Sequence, residues 1–148
     1  MAATQNLYKK FVEHLAKGDI ALKASGGASV KCALLLNTYT PNMSTDEVLG
    51  DVSAYEVSAD GTGYTAGGVA CALSDPAIDG SAVECDIADA EWASLTLTAR
   101  YAVWYVTSET AGLRYLIALR DFGGDVEVST QLLKVQTHAD GLVKATIS

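Results

Sequence analysis

The sequence predicts a mainly β protein: an antiparallel β-sandwich or barrel-like body that carries an N-terminal α-helix. Three observations point there. The second half of the chain is a run of segments rich in Thr, Val, Tyr and Trp, the residue types that suit a pleated, half-buried surface. Glycine-containing turns separate these segments at short intervals, as in sandwiches and barrels. Helical spacing shows most clearly in the stretch before Gly18.

The first element is that helix. Leu7, Phe11 and Leu15 recur every four residues, with Tyr8 and Val12 widening the stripe. Thr4 or Asn6 is a capping candidate, and Gly18 is a suitable stop. Lys9, Lys10, Glu13 and Lys17 fall mainly off the stripe. Ile20-Ala21-Leu22 is a short strand candidate, Ser25-Gly26-Gly27 a turn, and Val30 to Leu36 a buried strand. Pro41 holds Thr40 extended, so residues 37–42 read as a loop. Ser44-Thr45-Asp46-Glu47 has capping-box spacing, which suggests a helical turn through Val48-Leu49 stopped by Gly50.

The β pattern then dominates. After the glycine-rich segment comes the apolar run Gly68 to Leu73, and Ala82 to Ile87 is a short strand. Leu95 to Tyr105 is the strongest strand in the chain. Leu95, Leu97, Ala99, Tyr101, Val103 and Tyr105 share a core-facing side, and Thr96, Thr98 and Arg100 lie opposite. A turn at Ser108 to Gly112 leads to an antiparallel partner, Leu113 to Leu119. Asp121-Phe122-Gly123-Gly124-Asp125 reads as the next turn, followed by a strand from Val126 to Gln136. A turn at Thr137 to Gly141 precedes the last strand, Leu142 to Ile147.

At 148 residues and 15.4 kDa the chain has the size of one domain, 1–148, comprising a helix or arm (1–18) and a β-rich body (19–148). Its 49% hydrophobic and 19% charged residues exclude simple disorder. No apolar run approaches a membrane span, and the polar start Met1-Ala2-Ala3-Thr4-Gln5-Asn6 does not read as a secretory signal. A net charge of −8 is the opposite of the basic footprint that nucleic-acid binding leaves. Neither a membrane nor a nucleic acid is therefore expected as a partner.

Tyr55 to Gly68 is the most informative stretch, with Gly61, Gly63, Gly67 and Gly68 beside Tyr55 and Tyr64. Its glycine spacing is not the G-x-G-x-x-G of a dinucleotide site, and the run after it is β-like rather than helical. A phosphate loop would need Gly-Lys-Ser/Thr, but no lysine occurs between Lys31 and Lys134. The expectation is a shaped loop entering a strand, with at least one glycine at positive φ or against another backbone.

Catalytic and metal patterns fail as well. His14 reads as a helix-flank contact and His138 as a solvated turn residue, and there is no G-x-S-x-G elbow. Cys32, Cys71 and Cys85 sit in apolar or alternating segments. An odd count without C-x-x-C argues against a disulfide framework or a zinc site and suits a reducing cytoplasm. Asp75, Asp79, Glu84, Asp86, Asp89 and Glu91 gather acidic charge, but Asp86-x-x-Asp89-x-Glu91 lacks the EF-hand pattern and reads first as a solvated acidic segment. No cofactor is expected.

Tyr39-Thr40-Pro41, Tyr55-Glu56-Val57 with Gly61-Thr62-Gly63-Tyr64-Thr65-Ala66-Gly67-Gly68, Thr96-x-Thr98-Ala99-Arg100-Tyr101-Ala102-Val103, Leu116-Ile117-Ala118 with Asp121 to Asp125, and the closing Gly141 to Thr146 occur in this order. Together they resemble a family of small virion structural proteins of tailed bacteriophages. The glycine block is the most specific part, and the likeness spans nearly the whole chain from Leu7. Cys71 departs from it, standing where a larger aliphatic residue is expected, and the turn at Ser108 to Gly112 looks variable.

The resemblance implies a non-enzymatic part of the particle, assembled in the host cytoplasm. It leaves head and tail open. A capsid decoration or cement protein bound to the major capsid protein leads, and a tail or baseplate component is the alternative. A carbohydrate-binding module, with Trp92, Trp104 or Tyr105 as stacking platforms, is a third class. A small subunit grips several lattice partners best as a homo-oligomer, with a trimer favoured. The candidate contact residues are Leu7, Phe11 and Leu15 on the stripe, Tyr39, Pro41 and Met43 in one loop, and Tyr55, Gly61, Gly63, Tyr64, Gly67 and Gly68 in the other. The competing expectation is that all three segments close the domain's own core.

Overall fold

The computed structural model describes residues 4–23, 29–107, 112–137 and 141–146. The turn expected at Ser25 to Gly27, most of that at Ser108 to Gly112, and His138 lie outside the described residues. In chain order the elements are β1 (Thr4–Leu7), α1 (Lys9–Lys17), β2 (Ser29–Leu35), two 3-10 turns (Leu49–Asp51 and Ser53–Tyr55), β3 (Val69–Cys71), β4 (Ala77–Asp79), β5 (Ala82–Cys85), β6 (Ala90–Thr107), β7 (Arg114–Val135) and β8 (Val143–Thr146). They form a five-stranded sheet of order β1-β7-β6-β2-β3 and a three-stranded sheet of order β4-β5-β8. Both sheets are antiparallel, and neither closes on itself. The protein is thus mainly β with an N-terminal helix, as expected, and the barrel alternative falls away.

The β6–β7 hairpin is the backbone of the fold. β2 pairs with its turn-proximal half, from Ser29↔Thr107 to Leu35↔Tyr101. Here the chain is apolar at successive positions, and Tyr101 to Val106 are all buried, so both faces of the sheet are covered. Tyr101 and Val103 are core residues, as their alternation predicts. Towards the other end the burial alternates: Leu95 and Ala99 are buried, while Thr96 and Thr98 are exposed.

The turn expected at Asp121 to Asp125 is instead a break in register within one continuous strand. Between Ala99↔Val126 and Tyr101↔Asp121, β6 advances two residues while β7 advances five. The surplus is accommodated because Gly123 takes φ +83° and its N–H donates to Asp121 Oδ1 at 2.8 Å. Arg100 Nε on β6 donates to the same oxygen at 2.9 Å, pinning the irregular segment to its partner. Burial pushes the Asp121 carboxyl pKa up, but the bonds from Arg100 and Gly123 outweigh it and the net shift is downward. Asp121→Ala is expected to cost about 1–3 kcal/mol in urea denaturation. The part that depends on ionisation is present above about pH 3.9 and is lost as pH falls through the depressed folded value.

The other departures are local. Leu7 belongs to β1, paired with Ala118, and not to the helix. Thr4 and Asn6 lie in the same strand, so neither caps α1. Tyr8 takes the N-cap position without a side-chain capping bond. The buried residues of α1 are Phe11 and His14, whereas Leu15 is 38% exposed. Strand pairing up to Leu7 sets the rotation of the helix and turns the i, i+3, i+6 row Tyr8, Phe11 and His14 inward. Gly18 ends the helix as expected, in the left-handed region at φ +83°.

Ile20 to Leu22 form no strand, although Ile20 is buried. The Ser44 to Glu47 capping box does not form. Asp51, one residue past Gly50, accepts the N–H groups of Glu47 and Val48 at 2.9 and 3.0 Å, and the 3-10 turn starts at Leu49. β4 falls within the segment read as an acidic loop.

Candidate functional site

The glycine segment is fastened to the sheet by backbone and tyrosine contacts. Gly68, at φ +83°, lies so close to β2 that an added Cβ would sit 1.8 Å from the Cys32 carbonyl oxygen. Gly63, at φ +81°, approaches the Ser94 carbonyl in the same way, at 2.3 Å. Gly61 and Gly67 also take positive φ, but Gly61 faces open space. The expected glycine geometry is therefore present.

The Thr96 N–H donates to the Thr62 carbonyl at 3.0 Å, tying the segment to β6. The Tyr64 hydroxyl donates to Glu56 Oε1 at 2.6 Å and accepts the Leu34 N–H at 3.1 Å. The Gly67 N–H reaches the same Glu56 oxygen at 2.6 Å, and the Tyr105 hydroxyl donates to the Gly67 carbonyl at 2.5 Å. Burial, then the Glu56 carboxylate, pushes the Tyr64 phenol pKa up, so the phenol stays a neutral donor. Tyr64→Phe leaves the Leu34 N–H and the Glu56 carboxylate short of a partner. It is expected to lower stability by about 1–3 kcal/mol in urea denaturation, without loss of fold.

The neighbouring loop is held in the same manner. The Tyr39 hydroxyl donates to Asp46 Oδ2 at 2.5 Å and lies 3.1 Å from the Tyr8 hydroxyl. The Tyr39 ring meets Tyr101 edge-on at 5.6 Å and Tyr55 at 5.5 Å. Burial is the largest cause of the upward pKa shifts of both Tyr8 and Tyr39.

Phe11, Tyr39 and Tyr64 are thus covered within the chain. Leu7, Pro41, Met43, Tyr55, Gly67 and Gly68 are half-buried, and Leu15, Gly61 and Gly63 are exposed. Leu15 reaches a feature that periodicity does not reveal. It is an apolar groove of about 220 Å³ lined by Leu15, Ile20, Ala21, Leu22, Pro76, Val83, Cys85 and Val143. Ile78 pairs with Val83 across β4–β5, shares its face, and is 82% exposed. The signal lies in Pro76-Ala77-Ile78-Asp79, where one large apolar residue stands in a polar segment.

The three cysteines are buried, and burial pushes Cys71 and Cys85 up to about 11 and Cys32 well above its ordinary value. Among the described residues no group of three or more His, Cys, Asp or Glu side chains is placed to hold a metal ion. In the acidic segment, Asp89 and Glu91 face Lys134, and Glu84 faces Lys144. Trp92, Trp104 and Tyr105 are 7%, 0% and 2% exposed, so none is open as a sugar platform. Among the described residues no helix is long and apolar enough to cross a membrane. Comparison with protein-family models, with curated proteins and with solved structures finds no match.

Proposed function

We propose that this chain is a non-enzymatic structural protein of a tailed-phage virion. In this reading it is a decoration or cement subunit seated on the major capsid lattice as a homo-oligomer, with a trimer the expected form. The functional class comes from the sequence resemblance, because a fold alone does not supply a function. The observation that supports it is the state of the glycine block, the most specific part of that resemblance. Its tight glycines abut the backbones of β2 and β6, and its buried tyrosine holds Glu56 and Leu34. The block therefore serves architecture, which suits a subunit repeated rigidly on a lattice better than a ligand loop. Among the candidate contact residues, Leu7, Leu15, Pro41, Met43 and Tyr55 are side chains that retain accessible surface beside the tightly packed ones, and they are the proposed contacts.

Imaging of intact particles that contain this chain tests the reading. Density at many equivalent positions on the outer shell is the expected result. Density confined to the tail overturns the decoration role, and particles that exclude the chain overturn the virion role. Sedimentation of the purified protein checks the oligomer, and a monomer at all concentrations would refute the trimer.

A further inference from the structure

His14 is held between two carboxylates. Its Nδ1 lies 2.7 Å from Asp19 Oδ2 and its Nε2 lies 2.5 Å from Glu47 Oε1. The residue is only 8% exposed, and its ring packs on Tyr115 of β7 with centroids 4.3 Å apart. Only an imidazolium carries an N–H on each nitrogen. A neutral ring donates to one carboxylate and turns a lone pair towards the other. The carboxylates sit on opposite ring nitrogens, an arrangement that suits a shared proton pair rather than a common metal ion.

The three groups come from three parts of the chain. His14 is on α1, Asp19 follows the Gly18 cap, and Glu47 lies in the segment tied to β7. The Glu47 carbonyl accepts the Leu116 N–H at 2.9 Å, and its N–H is held by Asp51 at 2.9 Å. The groups facing His14 are the Asp19 and Glu47 carboxylates and the Tyr115 ring. Lys17, one turn along α1, is bonded to Glu13 at 2.7 Å and adds its charge towards both carboxylates.

We propose that His14, Asp19 and Glu47 form a pH-sensitive clasp that holds the N-terminal arm on the sheet while the imidazole is protonated and loosens it when that proton leaves. The inference is independent of the virion reading. Burial lowers the His14 pKa, but the bonds and charges of Asp19 and Glu47 outweigh it and the net shift is upward. The folded value therefore exceeds the unfolded one of about 6.5. The clasp's contribution is full below that pH and is lost as pH rises through the folded value. The arm's other ties include the β1–β7 ladder, the backbone bonds Lys9 N–H to Met43 O and Tyr8 N–H to Ile117 O, and the contact between the Tyr8 and Tyr39 hydroxyls, whose pKa values burial pushes up; none of these titrates between pH 6 and pH 9. Loosening therefore affects the C-terminal half of α1 and the Leu15 to Leu22 wall of the apolar groove first.

Hydrogen exchange of the Lys9 to Lys17 amides in the full chain from pH 6 to pH 9, corrected for intrinsic rates, tests this alongside an NMR titration of His14. The expected result is a several-fold rise in arm opening that tracks His14 deprotonation. It should shift to lower pH in Glu47→Gln and disappear in His14→Gln. Asp19→Asn, a milder change, shifts it in the same direction should His14→Gln fold poorly. Arm protection that ignores His14 titration, or a pH profile unchanged in Glu47→Gln and Asp19→Asn, overturns the proposal.

Discussion

Gly68→Ala is expected to leave the protein unfolded at room temperature or to lower its Tm by roughly 10 °C or more. Two costs add at this position. A left-handed backbone costs a non-glycine residue roughly 1–2 kcal/mol, and Gly68 sits at φ +83°. The new Cβ would also lie 1.8 Å from the Cys32 carbonyl oxygen, 2.6 Å from its carbon and 2.8 Å from Ala33 Cα. All three are backbone atoms of β2, which is paired with β6 on one side and β3 on the other. They yield only if the sheet shifts. A combined loss on the order of 4 kcal/mol is among the large single-residue effects, and each kcal/mol moves the Tm of a domain this size by about 2–4 °C. Gly61→Ala is the control. It has φ +72° with nothing within 4 Å of the added Cβ, so only the backbone cost applies. Equal losses in the two variants would show that the close approach to β2 is not what requires glycine.

Trp104→Ala is expected to cost about 3–5 kcal/mol, the range for removing a large buried aromatic. Trp104 is fully buried in the turn-proximal half of β6, opposite Cys32 on β2 and Ala118 on β7. Its indole N–H has no hydrogen-bond partner among the described residues. Trp104→Phe therefore removes ring volume but breaks no hydrogen bond, and it relieves a buried unpaired donor, itself a penalty of about 1–3 kcal/mol. Its expected loss is less than about 2 kcal/mol. Urea denaturation of both variants separates the two contributions. A Phe variant as damaged as the Ala variant would mean that the N–H has a partner after all.

How much of the fold and site is legible in the sequence depends on the range of the interaction concerned. The strands β2, β5 and β6 announce themselves through local composition, and Gly18 and the glycine block through the backbone freedom they supply. The rotation of α1 is not legible, because β1 sets it by pairing with β7 far along the chain. The single β7 reads as two strands because Gly123-Gly124 has turn chemistry. What keeps it one strand is pairing with β6 on both sides of the irregularity and the Arg100–Asp121 bond across it, contacts that the local pattern does not carry. His14 resembles a flank residue because its second carboxylate, Glu47, is thirty-three positions away. The candidate contact residues divide for the same reason: a local pattern marks Phe11, Tyr39 and Tyr64 as anchors but does not say whose surface they anchor.

The pairing of β1 with β7 also dictates when this protein finishes folding. Thr4 to Leu7 lie against residues 118–121, and the Gln5 amide reaches the Gly141 carbonyl, a sequence separation of 136. Residues 4–7 have no strand partner until residues 118–121 have been made. The β6–β7 hairpin closes a short loop and forms early, whereas docking β1 on β7 closes a far longer one, the kind of long-range contact that slows β-rich proteins. During synthesis β1 and the free edge of β6 therefore both wait, unpaired, until β7 emerges between them. In that interval, crowding by sister chains is most able to divert the chain.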